Sequence, residues 1–183
     1  ESLLPNKMGR QIASSLPQTG KVTVYQAGDI LISNIRPYFK KIWMADDDGG
    51  CSNDVLVFRA DRGCDSTFLY YILANDAFFN YASATSKGTK MPSGDKTAIM
   101  QYKVPCFNYE TQLRIGKLLR SIDDRIAVNK KINDNLQQQA AAFFSSLYDR
   151  SNTEVRFTDL IQILGGGTPK TGENTYWNGN IAF

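Results

Sequence analysis

The chain has 183 residues, 42% of them hydrophobic, which is enough to bury a core in one or two domains. It contains no histidine, which excludes Ser-His-Asp and Cys-His catalysis and His-ligated zinc, and removes the commonest general base. The net charge of +3 is too small to name a partner by itself, so the distribution of charge has to be read along the chain.

Residues 1–20 are loop-like, with Pro5, Gly9, Pro17 and Gly20. Residues 21–25 alternate, Ala27-Gly28-Asp29 makes a turn, and Ile30-Leu31-Ile32 follows, which predicts a hairpin. Residues 42–44 and 54–58 are further strands, separated by Asp46-Asp47-Asp48 and Gly49-Gly50. That acidic cluster lacks the alternating ligand spacing of a calcium loop and reads as a solvated turn, so no metal site is expected. Residues 68–81 carry Leu69, Ile72, Leu73, Phe78 and Phe79 at helical spacing and predict one packed helix. Residues 83–97 read as an exposed basic loop, and 99–104 as a strand ending at Pro105. Strands and a helix around one core predict an α+β domain. Cys51, Cys64 and Cys106 are odd in number and widely spaced, as reduced thiols of a cytoplasmic protein would be. No apolar run approaches the ~18 residues of a membrane span, and no signal peptide is expected.

From 110 to 148 the character changes, with Gly116 the sole glycine and no proline. Leu118, Ile122, Ile126, Ile132, Leu136, Ala140, Phe143 and Leu147 recur at steps of three, four or their sum. The spacing predicts a helix of about 55–60 Å, too long for so small a domain to wrap. Its narrow stripe, flanked by Arg125, Lys130, Lys131 and glutamines, suits a coiled-coil seam. Asn129 and Asn133 interrupt that stripe; they either fix the register of a helix pair or face solvent. Residues 154–164 begin a new element.

Lysines 87, 90, 96 and 103 stand against one acid, Asp95, and residues 36–41 carry further cations around Tyr38 and Phe39. Such interleaving fits a nucleic-acid face, and equally an ordinary solvated surface. The stretch GGGTPKTGENTYWNGN (165–180) invites a phosphate-loop reading, which its spacing defeats. Counting from Gly165, Lys170 occupies the position that must be glycine, and Pro169 removes a needed N–H donor.

Three stretches together resemble the specificity (S) subunit of type I restriction–modification systems. They are GDILISNIRPYFKKIW with GGCSNDVLVFR (28–59), SKGTKMPSGDKTAIMQYKVP (86–105) and QLRIGKLLRSIDDRIAVNKKINDNL (112–136). GGGTPKTGENTYWNGNIAF is similar to the start of one of that family's target-recognition domains. The resemblance implies a recognition domain over 1–107 lacking its family-typical start, a conserved spacer and dimerisation helix over 108–150, and the opening of another recognition domain over 151–183. The chain is then either a fragment or a rearranged repeat. In the rearranged case the tail is expected to dock, burying Ile163, Trp177 and Ile181.

The resemblance further implies that each recognition domain reads one half of a split double-stranded DNA target. Paired helices space the two halves and dock methyltransferase subunits, and through them the restriction subunit. Catalysis, methyl donor and ATP belong to those subunits, so a non-catalytic chain without a cofactor is expected. Candidate DNA contacts are Asn34, Arg36, Tyr38 and Lys40; Lys87, Thr89, Lys90, Ser93 and Lys96; and Thr168, Lys170, Tyr176 and Asn178. Each suits a phosphate or structural contact better than base reading. The helix-pairing set is Leu118, Ile122, Ile126, Asn129, Ile132, Asn133, Leu136, Ala140, Phe143 and Leu147, and it predicts a homodimer. The competing reading is a non-catalytic oligomerisation scaffold acting through the helix alone.

Overall fold

The structure, a computed structural model, describes residues 2–13, 20–150, 154–167 and 172. The chain divides into two compact units, Glu1–Lys131 and Ile132–Phe183.

At the centre of the first unit is strand β2. The strands are β1 (Thr23–Tyr25), β2 (Ile30–Ser33), β3 (Ile42–Met44), β4 (Gly49–Cys51) and β5 (Val55–Phe58). All residues of β2 are buried, so both its faces need cover. With side chains alternating across the strand, Ile30 and Ile32 join Ile42, Leu73, Phe78, Phe79 and Ile99 in one cluster. Leu31 packs in a second cluster with Leu3 and Ala45, lined by Tyr25 and Trp43. Each such burial stabilises by about 1.5–3 kcal/mol. Antiparallel pairing in the order β3-β2-β5 aligns Ile32 with Ile42 and with Leu56. A separate ribbon pairs β1 with β4 and sets Tyr25 opposite Gly49.

The helices begin where side chains cap them. Asp65 accepts from Phe68 N (2.8 Å) at the start of α1 (Ser66–Leu73). Asn75 accepts from Ala77 N (2.9 Å) to open α2 (Asp76–Ala84). Asp95 accepts from Thr97 N (2.9 Å) to open the single turn α3 (Lys96–Ile99). The long helix α4 is Tyr109–Asp149, and Asn108 accepts from Thr111 N (2.9 Å) at its start.

Two residues fasten the first turns of α4 to the N-terminus of α1. Gln112, 8% exposed, accepts from Asp65 N (3.0 Å) and donates to the carbonyls of Gly63 (3.2 Å) and Phe107 (2.8 Å). At Gly116 an added Cβ would lie 3.2 Å from Phe68 N and 2.9 Å from Asp65 Oδ1. Glycine there permits the close approach of two backbones. The Tyr71 hydroxyl donates to Asp123 (2.7 Å), and burial together with that carboxylate raises its pKa.

The architecture is α+β, as expected, with several local corrections. Residues 21–25 and 30–32 are adjacent in sequence but do not pair as a hairpin. β2 is buried throughout, and its two edges are taken by the apolar, partly buried strands β3 and β5. The exposed, alternating β1, where Val24 is 69% exposed, finds the glycine-rich β4 instead. Gly49 and Gly50 therefore belong to a strand and not to the acidic turn. The predicted helix over 68–81 is two helices, because Asn75 caps the second. Residues 83–84 and 96–97 are helical, and 99–104 contains no strand.

In the second unit a 3-10 turn, Phe157–Asp159, follows α4. Ile163, expected to be buried, is 84% exposed and Leu160 is 70% exposed. Trp177 and Ile181 lie outside the described residues. No helix among the described residues is long and apolar enough to cross a membrane.

Candidate nucleic-acid interface

Two basic segments far apart in sequence meet on one face of the first unit. Leaving β2, Asn34 donates its N–H to Asp54 O (2.7 Å) and accepts from Gly94 N (3.0 Å). Ile35 bridges to Ser93, Ser93 bridges to Lys87, and Arg36 N donates to Pro92 O (2.7 Å). Residues 86–96 are thereby laid against residues 34–36. Gly94 makes this possible, since a Cβ there would lie 2.8 Å from both Asn34 Oδ1 and Ile99 Cδ1. The chain then turns tightly at Pro37–Phe39, with left-handed backbone at Arg36 (φ 52°) and Lys40 (φ 51°).

The N-terminal segment closes the other side of this turn. Asn6 N donates to Phe39 O (2.8 Å) and Lys7 N to Lys40 O (2.9 Å). Asn6, Lys7, Arg36 and Lys40 are the described non-glycine residues with positive φ, and all of them lie around this turn. Such backbone costs roughly 1–3 kcal/mol per residue and persists where its surroundings hold it. Tyr38 and Phe39 project from it, 50% and 39% exposed, with ring centroids 4.8 Å apart.

Several cations here are already paired. Asp76 takes both Lys7 and Lys40, the latter at 3.1 Å, and those two ammonium groups hold its pKa below the usual carboxylate value. Asp95 pairs with Lys87 while capping α3; the lysine first, then the backbone N–H of Ala98, lower its pKa likewise. Lys90, Lys96 and Thr89 are exposed, and no ion pair engages either of those two lysines among the described residues.

The fold thus assembles Asn34, Arg36, Tyr38, Lys40, Lys87, Thr89, Lys90, Ser93 and Lys96 into one neighbourhood. Asn34 and Arg36 are half-buried, and their Oδ1 and Nε atoms are buried without a hydrogen-bond partner among the described residues. Ser93 serves the loop through its backbone. Thr168, Lys170, Tyr176 and Asn178 lie outside the described residues. Sequence reasoning overlooked Lys7 and Asp76, which reach this face across 69 positions, and Phe39 as the neighbour of Tyr38. Along α4, Leu118, Ile122, Ile126, Ile132, Leu136, Phe143 and Leu147 are between 47% and 68% exposed. Asn129, Asn133 and Ala140 are exposed beside them.

The EcoDI type I restriction enzyme specificity subunit of Escherichia coli is 27% identical over 116 residues, 61% of this chain and 25% of its own length. The fold is similar to the HsdS subunit from Thermoanaerobacter tengcongensis, with a TM-score of 0.52 and 21% identity over 73% of this chain and 37% of that one. It is also similar to a chain from a structural study of complex assembly and conformational transition in the type I R-M system, with a TM-score of 0.60 and 19% identity. That match covers 92% of this chain and 49% of the other. The chain therefore spans about half or less of the length of these relatives. The model of the type I restriction modification DNA specificity domain matches residues 6–138, most of the sequence, and the chain belongs to that family.

Proposed function

We propose that this chain reads one half of a split double-stranded DNA target for a type I restriction–modification complex in the cytoplasm. Its recognition domain, residues 1–107, binds DNA through the face formed by residues 34–40 and 86–96. The helix over 108–150 pairs with a second helix of its kind and docks methyltransferase subunits, through which the restriction subunit joins. Residues 151–183 open a further recognition domain and supply contacts from Thr168, Lys170, Tyr176 and Asn178. The chemistry belongs to the other subunits.

The observation that carries this reading is the convergence of two basic segments, one bearing exposed aromatic rings, on one face. Phosphate contacts from lysine position a protein on DNA and make its affinity salt-dependent. Among the described residues no ion pair engages Lys90 or Lys96, whereas Lys87 must leave Asp95 before it meets a phosphate. Replacing Lys90 or Lys96 with alanine is expected to weaken binding to all duplexes and to lessen the salt slope by about one unit. Lys87→Ala is expected to change the slope less. Fluorescence anisotropy across a salt series checks this, and unchanged slopes in both Lys90→Ala and Lys96→Ala would turn the loop away from DNA. The alternative, a scaffold acting through its helix, draws on the exposed stripe of α4 and requires that the chain bind no duplex at all.

A further inference from the structure

The exposed ring pair Tyr38–Phe39 is poorly explained by phosphate contact alone. We infer that Tyr38, backed by Phe39, is a wedge that enters the base stack of duplex DNA at one step and bends the helix. This rests on the DNA-binding reading above and adds a mechanism to it.

A wedge must be apolar, prominent and stiff. Tyr38 is half exposed and leans on Phe39, so the pair offers an aromatic edge to solvent. Stiffness comes from both flanks of the turn. Arg36 N is tied to Pro92 O, Lys40 N to Pro37 O (2.9 Å), Asn6 N to Phe39 O and Lys7 N to Lys40 O. Pro37 is buried and fixes the first position of the turn. The concentration of left-handed residues at this one place means that surrounding structure, not local preference, sets the direction of the rings. A mobile loop would need none of this.

The surroundings favour nucleic acid as the occupant. Lys90 lies in the loop beside the turn, and Lys41 Nζ sits 5.9 Å from the Phe39 ring. Lys7 and Lys40, which share Asp76, border the turn as cations that must leave that carboxylate to meet a phosphate. Protein interfaces are depleted in lysine at their centre, whereas side-chain wedges in DNA-bending proteins stand among cations that hold the flanking phosphates. Unstacking one step is offset by the extra surface that a bent duplex wraps. Every base step has a stack to open, so insertion does not depend on knowing the target sequence.

The test uses the full chain at low salt with mixed-sequence duplexes carrying 2-aminopurine at successive positions and a dye at each end. Wild-type protein is expected to raise 2-aminopurine emission and to shorten the end-to-end distance seen by energy transfer. Tyr38→Ala should abolish both changes and weaken binding about 5- to 150-fold, the range for losing one base–aromatic contact. Its salt slope should stay unchanged, because no cation is removed. Tyr38→Phe should retain the bend. A bound wild-type complex with unaltered emission and end-to-end distance overturns the wedge and leaves the DNA-binding reading standing. Absence of any duplex binding by wild type removes that reading, and the wedge with it. If Tyr38→Ala still bends DNA but fails to bind a methyltransferase subunit, the rings serve protein docking and the wedge is wrong.

Discussion

At the scale of single residues, the best-anchored charge among the described residues is Asp29, between β1 and β2. It is 3% exposed, accepts from Arg59 Nε (2.8 Å) and Nη2 (2.6 Å), and also accepts from Gln26 N (2.8 Å). The hydrogen bonds from Arg59, more than the opposing burial, hold its pKa below the ordinary carboxylate value. A carboxylate whose folded pKa is lowered contributes stability above its unfolded pKa, about 3.9, and loses it as pH falls through the folded value. Asp29→Asn is therefore expected to cost about 1.5–3 kcal/mol near neutral pH, the range for hydrogen bonds to a charged group. The gap from wild type should close as pH drops below about 3.9. Urea titrations of both proteins down the pH scale check this; a gap independent of pH would mean that shape, not charge, is what Asn lacks. Residues of this kind also mark the limit of reading a sequence. Lys90 and Lys96 stand out because glycine, serine and threonine around them leave nothing to bury. The restraint of Lys7 and Lys40 by Asp76 was not legible, since only the finished fold brings position 7 to position 76.

At the scale of elements, legibility followed the strength of the local signal. Helix α4 was read nearly to its ends, because apolar spacing and the lack of proline persist over its 41 residues. β2, β3 and β5 were seen as strands from their apolar runs, but their partners were not, since pairing depends on which faces need cover. Helix α1 was merged with α2 because both are apolar; the capping role of Asn75 is local and competes with an uninterrupted hydrophobic pattern. The seat of α4 on α1 was invisible for a related reason: Gly116 in a helix reads as a weakness. In an open helix Gly→Ala gains roughly 0.5–1 kcal/mol. At position 116 the new methyl meets Phe68 N, which is backbone and cannot swing aside, so Gly116→Ala is expected to lower the melting temperature. Gln112→Ala should cost about 1–3 kcal/mol by leaving the Asp65 N–H without its acceptor. Both variants should speed amide exchange at residues 65–68 while leaving the β2 amides protected. A higher melting temperature for Gly116→Ala would show that the two helices have room to separate.

At the scale of the whole molecule, the question is what covers the apolar stripe of α4. Ile122, Ile126, Ile132 and Leu136 are each about half exposed, and Leu118 and Phe143 more so, a patch that a lone chain in water rarely keeps. A second copy running antiparallel is the proposed cover, and the sequence of the helix favours it. Asn129 stands at the midpoint of Tyr109–Asp149, so a two-fold axis through the helix centre brings Asn129 of one chain beside Asn129 of the other. Two amides meeting there satisfy each other, and a register slipped by three or seven residues would set each against an isoleucine or leucine. The proposed recognition domains, fastened to the N-terminal turns by Gln112 and Gly116, would then stand at opposite ends of the helix pair, as the proposed reading of two half-sites requires. Sedimentation equilibrium at tens of micromolar is expected to give a dimer for wild type and a monomer for Ile126→Asp, which places two carboxylates near the axis. Asn129→Leu should tighten association while admitting more than one stoichiometry or register, because the polar pair that rejects the alternatives is gone. A wild-type chain that sediments as a monomer at that concentration would leave the stripe to a different partner. An Asn129→Leu protein that stays a single, equally tight dimer would move the two-fold axis away from the helix centre.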